Sequence, residues 1–289
     1  MTVIRKLFAM TTIAHILQFA RQRLPASETA MLDAHMLLCR ILDTGRAYLL
    51  AHPEHVLTPE QAAQYAAWIN RRAAGEPVAY ILGEAGFFDR ELMVTPDVLI
   101  PRPETEHLVE EALLFLQQQP QITAVDIGTG SGAIAITVAA NAPNVIMHAT
   151  DVSSAALSVA RHNAAQHGVQ MTFHHGHLVQ PLMTANVKVQ LLMANLPYIA
   201  SDELPQLEVS KYEPRLALDG GQDGLRLIAE LLEAVPQICL PGALILLEIG
   251  ADQGAAAADL AQKQLAPHFV SLIKDYAGHD RVVRIQLAS

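Results

Sequence analysis

The stretch Asp126-Ile127-Gly128-Thr129-Gly130-Ser131-Gly132 follows an apolar run and leads straight into Ala133-Ile134-Ala135-Ile136. It reads as a strand ending in a carboxylate, a turn made with three alternate glycines, and the first turn of a helix. Glycines at such a turn permit tight backbone and let a ligand approach bare N–H groups. A strand expected over 145–150 ends at Asp151 about 20 residues after the loop, where a carboxylate can accept hydrogen bonds from both hydroxyls of a ribose.

Outward from this stretch, strands and helices alternate. Strands are expected over 122–127, 145–150, 169–174, 189–194, 243–249, 268–274 and 281–286, with helical patterns between most of them. The helix before the loop carries Leu108, Val109, Ala112, Leu113 and Leu116. Leu191-Leu192-Met193 and Leu244-Ile245-Leu246-Leu247 are unbroken apolar runs, as suits central parallel strands covered on both faces. Such alternation implies an open α/β sheet, in which ligands bind beyond the carboxyl ends of the strands.

Upstream the periodicity is helical. Ile13, Ile16, Leu17, Ala20 and Leu24 recur at helical spacing, and Ser27 is a candidate cap for a second helix bearing Met31, Leu32, Met36, Leu38, Ile41 and Leu42. Thr58-Pro59-Glu60-Gln61 is a helix start with a capping box. Gly86-Phe87-Phe88 and Leu92-Met93-Val94 suggest a β-hairpin. The expected organisation is therefore a helical domain over 1–83, a hairpin connector over 84–100 and an α/β domain over 101–289.

The 289 residues are 51% hydrophobic and 17% charged, which supports a sizeable core and excludes a disordered chain. A net charge of −10 argues against a protein held mainly by nucleic-acid phosphates. Cys39 and Cys239 cannot build a disulfide scaffold or a Cys-x-x-Cys knuckle, and they fit a reducing, cytoplasmic setting. Arg5, Lys6 and Leu7–Met10 begin like a signal peptide, but Thr11, Thr12, His15 and Gln18 interrupt the run, so none is expected. No run of about 18 apolar residues suggests a membrane span. His174, His175 and His177 are not read as a metal site, because neighbouring strand residues face opposite ways and no carboxylate or Cys lies nearby in sequence.

Gly128, Gly130 and Ala133 also fit the dinucleotide pattern G-x-G-x-x-G/A, which leaves a nicotinamide oxidoreductase open. The strand at 189–194 discriminates, because it ends in Asn195-Leu196-Pro197-Tyr198. Asn195 offers a carbonyl and an NH2 group, Pro197 has no N–H and stiffens the chain, and Tyr198 offers a flat wall. Together they make a recogniser for a planar –NH2, with a side-chain and a backbone carbonyl as its acceptors. A dehydrogenase has no evident use for it.

With these residues assembled, the chain resembles the HemK/PrmC family of protein-(glutamine) methyltransferases, within the AdoMet-dependent enzymes that modify planar nitrogen. The resemblance also covers Gly83–Phe88, Ile100-Pro101-Arg102-Pro103-Glu104-Thr105-Glu106, Glu213-Pro214, Leu216–Leu218, Gly220-Gly221, Asp223–Leu225, Glu248-Ile249-Gly250, Gln253-Gly254, Lys274-Asp275 and Asp280-Arg281. It implies a Rossmann-like class I AdoMet-dependent methyltransferase with a small N-terminal helical domain. It implies that Gly128, Thr129, Gly130, Ser131 and Gly132 wrap the amino-acid part of S-adenosyl-L-methionine (AdoMet) and that Asp151 holds its ribose. Asn195 would bind the target amide and lie against the cofactor, with Leu196, Pro197 and Tyr198 completing the pocket. The partners implied are class 1 peptide chain release factors, contacted by the N-terminal helices and presenting the glutamine of a Gly-Gly-Gln loop. Direct nucleic-acid binding is not expected.

Two positions depart from the family pattern. Leu196 stands where the family has proline; Asn-Leu-Pro-Tyr is more typical of enzymes that dimethylate adenine in ribosomal RNA. An adenine exocyclic-amine methyltransferase acting on RNA or DNA is therefore the alternative, and a non-catalytic binder of the translation machinery a more distant one. Gly176-His177-Leu178 replaces the family's acidic–aromatic pair near the adenine ring. Arg102, Glu104 and Glu106 read equally as a cofactor entrance or as helix caps, and 213–224 as a lid or a connector.

Overall fold

The structure, a computed structural model, describes residues 11–26, 29–117, 119, 121–265 and 267–289. The stretch Arg5–Met10 and the cap proposed at Ser27 lie outside the described residues. The chain divides into two compact units, Met1–Gly83 and Glu84–Ser289.

The first unit holds α1 (Ile13–Arg23), α2 (Ala30–Leu42), α3 (Arg46–Ala51), α4 (Pro59–Ala73) and α5 (Val78–Leu82). Apolar residues at helical spacing give each long helix one stripe to bury. Ile13, Ile16 and Ala20 of α1, Leu37 and Leu38 of α2, and Ala62, Tyr65 and Ile69 of α4 close on a single core. Tyr65 is wholly buried and its hydroxyl donates to the Ala34 carbonyl at 3.0 Å, which offsets the cost of taking that group out of water. The capping box at α4 is formed, with the Gln61 amide donating to Thr58 Oγ1 (3.2 Å) and the Thr58 amide to Gln61 Oε1 (2.9 Å). Helices α3 and α5, of six and five residues, are too short for periodicity to reveal.

The second unit opens with the hairpin β1 (Glu84–Phe87) and β2 (Arg90–Met93), followed by α6 (Glu106–Leu116). Phe87 and Leu92 of the hairpin are buried in the same core cluster as Leu108 and Val109 of α6. Then come β3 (Thr123–Ile127), α7 (Ala133–Asn141), β4 (Ile146–Asp151), α8 (Ser154–Gln166), β5 (Thr172–His175), α9 (Gln180–Thr184), β6 (Val189–Ala194), the short β7 (Ile199–Ala200) and β8 (Asp219–Gly221), α10 (Arg226–Ala234), β9 (Cys239–Glu248), α11 (Gly254–Leu265), β10 (Phe269–Lys274) and β11 (Asp280–Gln286). Seven strands form one sheet in the order β10-β11-β9-β6-β3-β4-β5. All neighbours are parallel except β11, which runs antiparallel to both β9 and β10. This is an open, Rossmann-like sheet, as the alternation of strands and helices predicts. Its two faces are covered by separate apolar clusters, one holding Leu192, Ile245 and Val283, the other Leu191, Leu246 and Val282. Adjacent residues of one strand thus point into different cores, which is why the runs at 191–193 and 244–247 are apolar throughout.

Two strand boundaries differ from the sequence reading. β5 starts at Thr172 rather than 169, because the Val169 amide is used to close α8, donating to the Ala164 carbonyl at 2.9 Å. β9 starts at Cys239 rather than 243; its register against β6 shifts between Val189 and Leu191. Pro241, lacking an N–H, and Gly242, at φ 73°, sit in that irregular stretch. Among the described residues, no helix is long and apolar enough to cross a membrane.

Leu192 has no exposed surface and lies in the middle of the sheet. Leu192→Ala is expected to lower unfolding free energy by about 2–5 kcal/mol, measured by urea titration, through lost burial and the cavity left behind.

Candidate active site

The site is built on the carboxyl ends of neighbouring parallel strands. Ile127 pairs with Thr150 of β4 on one side and Ala194 of β6 on the other, and Ala194 pairs with Leu247 of β9. The residues that follow, Gly128, Asp151, Asn195 and Glu248, therefore emerge side by side.

The glycine loop is held by hydrogen bonds from both strands. The Gly128 and Thr129 amides donate to the Thr150 carbonyl at 2.9 and 3.0 Å. Asp151 Oδ2 accepts the Gly130 amide (2.9 Å) and Oδ1 accepts the Ser153 amide (2.8 Å), while Ser153 caps α8. Asp126, fully buried, accepts the Thr129 hydroxyl at 2.6 Å. Gly128, Gly130 and Gly132 all have positive φ, from 55° to 85°. A Cβ on Gly130 would meet open space, whereas one on Gly132 would meet Ile136 Cδ1 at 2.6 Å and Ala160 Cβ at 3.3 Å. Gly130 thus leaves the approach to its backbone clear, and Gly132 lets α7 and α8 pack.

A cavity of about 620 Å³ opens over this loop. It is lined by Gly128–Ser131, Asp151, Asn195, Leu196 and Pro197, and also by the 96–102 segment, Thr105, His177, Leu178 and Pro214–Ala217. Gly132 and Tyr198 are not in its wall. Tyr198 points its hydroxyl at Glu248 Oε1, 3.5 Å away, and burial pushes its pKa up. The Tyr198 carbonyl accepts Gln253 Nε2 at 2.9 Å, and Gly224 lies so close that a Cβ there would stand 2.1 Å from that carbonyl oxygen. Leu196 turns its side chain into the core, 4% exposed, against Gly128.

The Arg102–Glu106 segment, open between two readings in the sequence, has a separate contact at several positions. Arg102 pairs with the buried carboxylate of Glu213, which also accepts the Ile100 amide at 3.1 Å. Thr105 Oγ1 accepts Asn195 Nδ2 at 3.1 Å, and Glu106 accepts the Phe88 amide at 2.8 Å. The 213–224 segment is fastened to the chain before it: β8 pairs with β7, and Asp219 accepts the Ser201 hydroxyl at 2.6 Å. Its residues 214–217 form one wall of the cavity. The three histidines have separate partners, His174 with His148, His175 with the Val152 carbonyl and His177 with Glu230. Thr105, Glu213 and Glu248 were not singled out by sequence reasoning as site groups. Their only sequence signal is the resemblance itself, because their contacts join segments some 50 to 110 residues apart.

Residues 15–83 match the PrmC N-terminal domain and residues 107–208 the methyltransferase small domain. The chain is 42% identical over 275 residues to the release factor glutamine methyltransferase of Moorella thermoacetica, covering 93% of this chain and 96% of that one. The chain belongs to the release factor glutamine methyltransferase family. The family member of Bacillus subtilis is 36% identical over 282 residues, covering 95% and 97% of the two chains. Among solved structures, the T. thermophilus 16S rRNA N2 G1207 methyltransferase in complex with AdoMet and guanosine shares the fold, at a TM-score of 0.52 and 13% identity, over 71% of this chain and 49% of that one.

In this release factor glutamine methyltransferase family member, the buried strand-end carboxylates titrate unusually. Burial pushes Asp126 up to about 7, against the Thr129 hydroxyl and Ala135 amide that favour its charged form; Asp151 adds to the rise. Burial also raises Asp151 and pushes Glu248 up to about 7. A carboxylate raised on folding holds a proton that the unfolded chain releases near pH 4. Its stabilisation is full below that pH and is lost as pH rises through the folded-state value. Asp126→Asn is therefore expected to gain stability relative to the parent as pH rises from about 4 to about 8. Urea unfolding across that range measures it, and a pH-independent difference between the two proteins would contradict it.

Proposed function

We propose that this chain transfers the methyl group of AdoMet to the side-chain amide of the glutamine in the Gly-Gly-Gln motif of class 1 peptide chain release factors. The observation that carries this reading is the placement of Asn195 at the tip of β6, beside the glycine loop and in the wall of the same cavity. Its volume of about 620 Å³ lies within the roughly 300–1,000 Å³ of small-molecule sites, and the open approach to Gly130 fits AdoMet. Asp151 has one amide bonded to each carboxylate oxygen, and a carboxylate has about four acceptor sites, so capacity remains for ribose hydroxyls. The cavity-lining loop Gly128–Ser131 serves the amino-acid part, and Gly132 supports it from behind. When bound, AdoMet supplies a methyl group on a positively charged sulfur.

An amide nitrogen is a weak nucleophile because its lone pair is delocalised into the carbonyl, so positioning and electrostatics must do the work. In this reading, Asn195 Oδ1 accepts one hydrogen of the target NH2. The Tyr198 carbonyl is already bonded to Gln253 and the Pro197 carbonyl is packed against Gly220, where a Cβ would stand 2.7 Å from it, which points to the Leu196 carbonyl as the second acceptor. Pro197 fixes the turn, and Tyr198, held through Glu248, braces it from outside the cavity. These acceptors orient the nitrogen and stabilise the positive charge that develops on it; the surplus proton then leaves to solvent.

The inward Leu196 side chain makes its difference from proline a matter of core packing, and no feature of the site favours the adenine alternative. The unit Met1–Gly83 is assigned to release-factor recognition, with 84–100 linking it to the methyltransferase domain at 101–289. The net charge of −10 supports a protein rather than a nucleic-acid partner, and free Cys39 and Cys239 support a cytoplasmic setting.

Methyl transfer from labelled AdoMet to a purified class 1 release factor tests the reading. Label is expected on the intact factor and not on one whose Gly-Gly-Gln glutamine is replaced. Asn195→Ala is expected to lower turnover by at least about 100-fold while the AdoMet Kd stays within about twofold. Label on RNA or DNA with none on the factor would overturn it.

A further inference from the structure

A carboxamide presents a donor on one side and an acceptor on the other, and a half-turn exchanges them. Which side of Asn195 faces the cavity therefore decides what it recognises. Asn195 Nδ2 donates to Thr105 Oγ1 at 3.1 Å, across 90 residues of sequence. Thr105 is 4% exposed and stands in a short 3-10 turn, Pro103–Thr105, immediately ahead of α6. A threonine hydroxyl has a single proton. While it accepts from Asn195, that proton must go elsewhere, and the neighbouring acceptor is Glu248. This carboxylate is 1% exposed, with a buried Oε2 that has no hydrogen-bond partner among the described residues and is free to accept. Of the groups favouring its charged form, the Thr105 hydroxyl is the strongest, ahead of Arg281 and Tyr198.

We infer that Thr105, backed by Glu248, is a positioning residue that sets the orientation of the Asn195 carboxamide, so that Oδ1 is the face offered to the substrate's NH2. The inference rests on the reading of Asn195 as the amide-binding residue. With the hydroxyl turned towards the carboxylate, only its lone pairs face Asn195, and a flipped carboxamide would set two acceptors against each other. The flipped form would also aim an NH2 at the substrate's NH2. The relay therefore selects an amide over a carboxylate at the target, by making the wrong pairing leave buried groups unmatched.

Thr105→Val keeps the shape and removes the hydroxyl. It is expected to lower kcat on the release factor by about tenfold, the cost of roughly one hydrogen bond, with the AdoMet Kd within about twofold. A loss of fold or packing alone would not change substrate discrimination, so the second readout is inhibition by a release factor whose Gly-Gly-Gln glutamine is replaced by glutamate. The released Asn195 can turn its NH2 to that carboxylate, so the ratio of this inhibitor's Ki to the KM of the native factor is expected to fall about tenfold. Thr105→Ser keeps the hydroxyl and is expected to retain both kcat and the ratio, which keeps the test decisive should the Val variant fold poorly. An unchanged ratio in Thr105→Val, or a Ser variant as impaired as a Thr105→Ala control, would overturn the relay. Full activity in Asn195→Ala would instead overturn the reading beneath it, whereas an inactive Asn195→Ala beside a fully active Thr105→Val would remove the relay alone.

Discussion

Parallel pairing at the centre of the sheet is the constraint on which the rest depends. Ile127, Thr150 and Ala194 lie level across three strands, with Leu247 level on a fourth. The chain leaves each strand at the same edge, and each exit carries a different chemical group: bare glycine backbone, the Asp151 carboxylate, the Asn195 carboxamide and the Glu248 carboxylate. The two apolar clusters on opposite faces hold this register, since a slip of one residue would exchange every side chain between them.

At that edge the backbone and the carboxylates support each other. Asp151 uses both oxygens on amides of the surrounding loops, and Asp126 takes the Thr129 hydroxyl. Burying three acidic groups is costly in isolation, and their raised pKa values are the signature of that cost. It is tolerated because each is engaged with a group that shapes the cavity. The Arg102–Glu106 segment adds a second layer, fastening the 213–217 wall through Glu213, the hairpin through Glu106 and Asn195 through Thr105.

Much of this was legible in the residues. The glycine loop after an acidic strand end, the strands with continuous apolar runs and the Asn195–Tyr198 turn are local features, and local features follow from spacing and side-chain chemistry. All seven sheet strands meet their expected bounds to within one residue at the end that faces the site; the larger differences, at 169–174 and 243–249, lie at the far ends of those strands. Less legible was what each group does. Asp151 reads as a ribose ligand, yet it also fastens the loop; Tyr198 reads as a wall, yet its hydroxyl is turned to Glu248; Gly132 reads as ligand contact, yet it serves helix packing.

The sequence by itself determined the alternating architecture and the placing of the glycine loop, Asp151 and the Asn195–Tyr198 turn at the carboxyl ends of its strands. It did so because periodicity, glycine placement and the chemistry of Asn195 act over a few residues. Only the tertiary structure decided that Thr105 meets Asn195, that Glu213 anchors Ile100 and Arg102, and that Glu248 stands behind them. Those contacts join segments brought together by sheet order, and sheet order is set by the packing of both faces at once, which no single segment encodes.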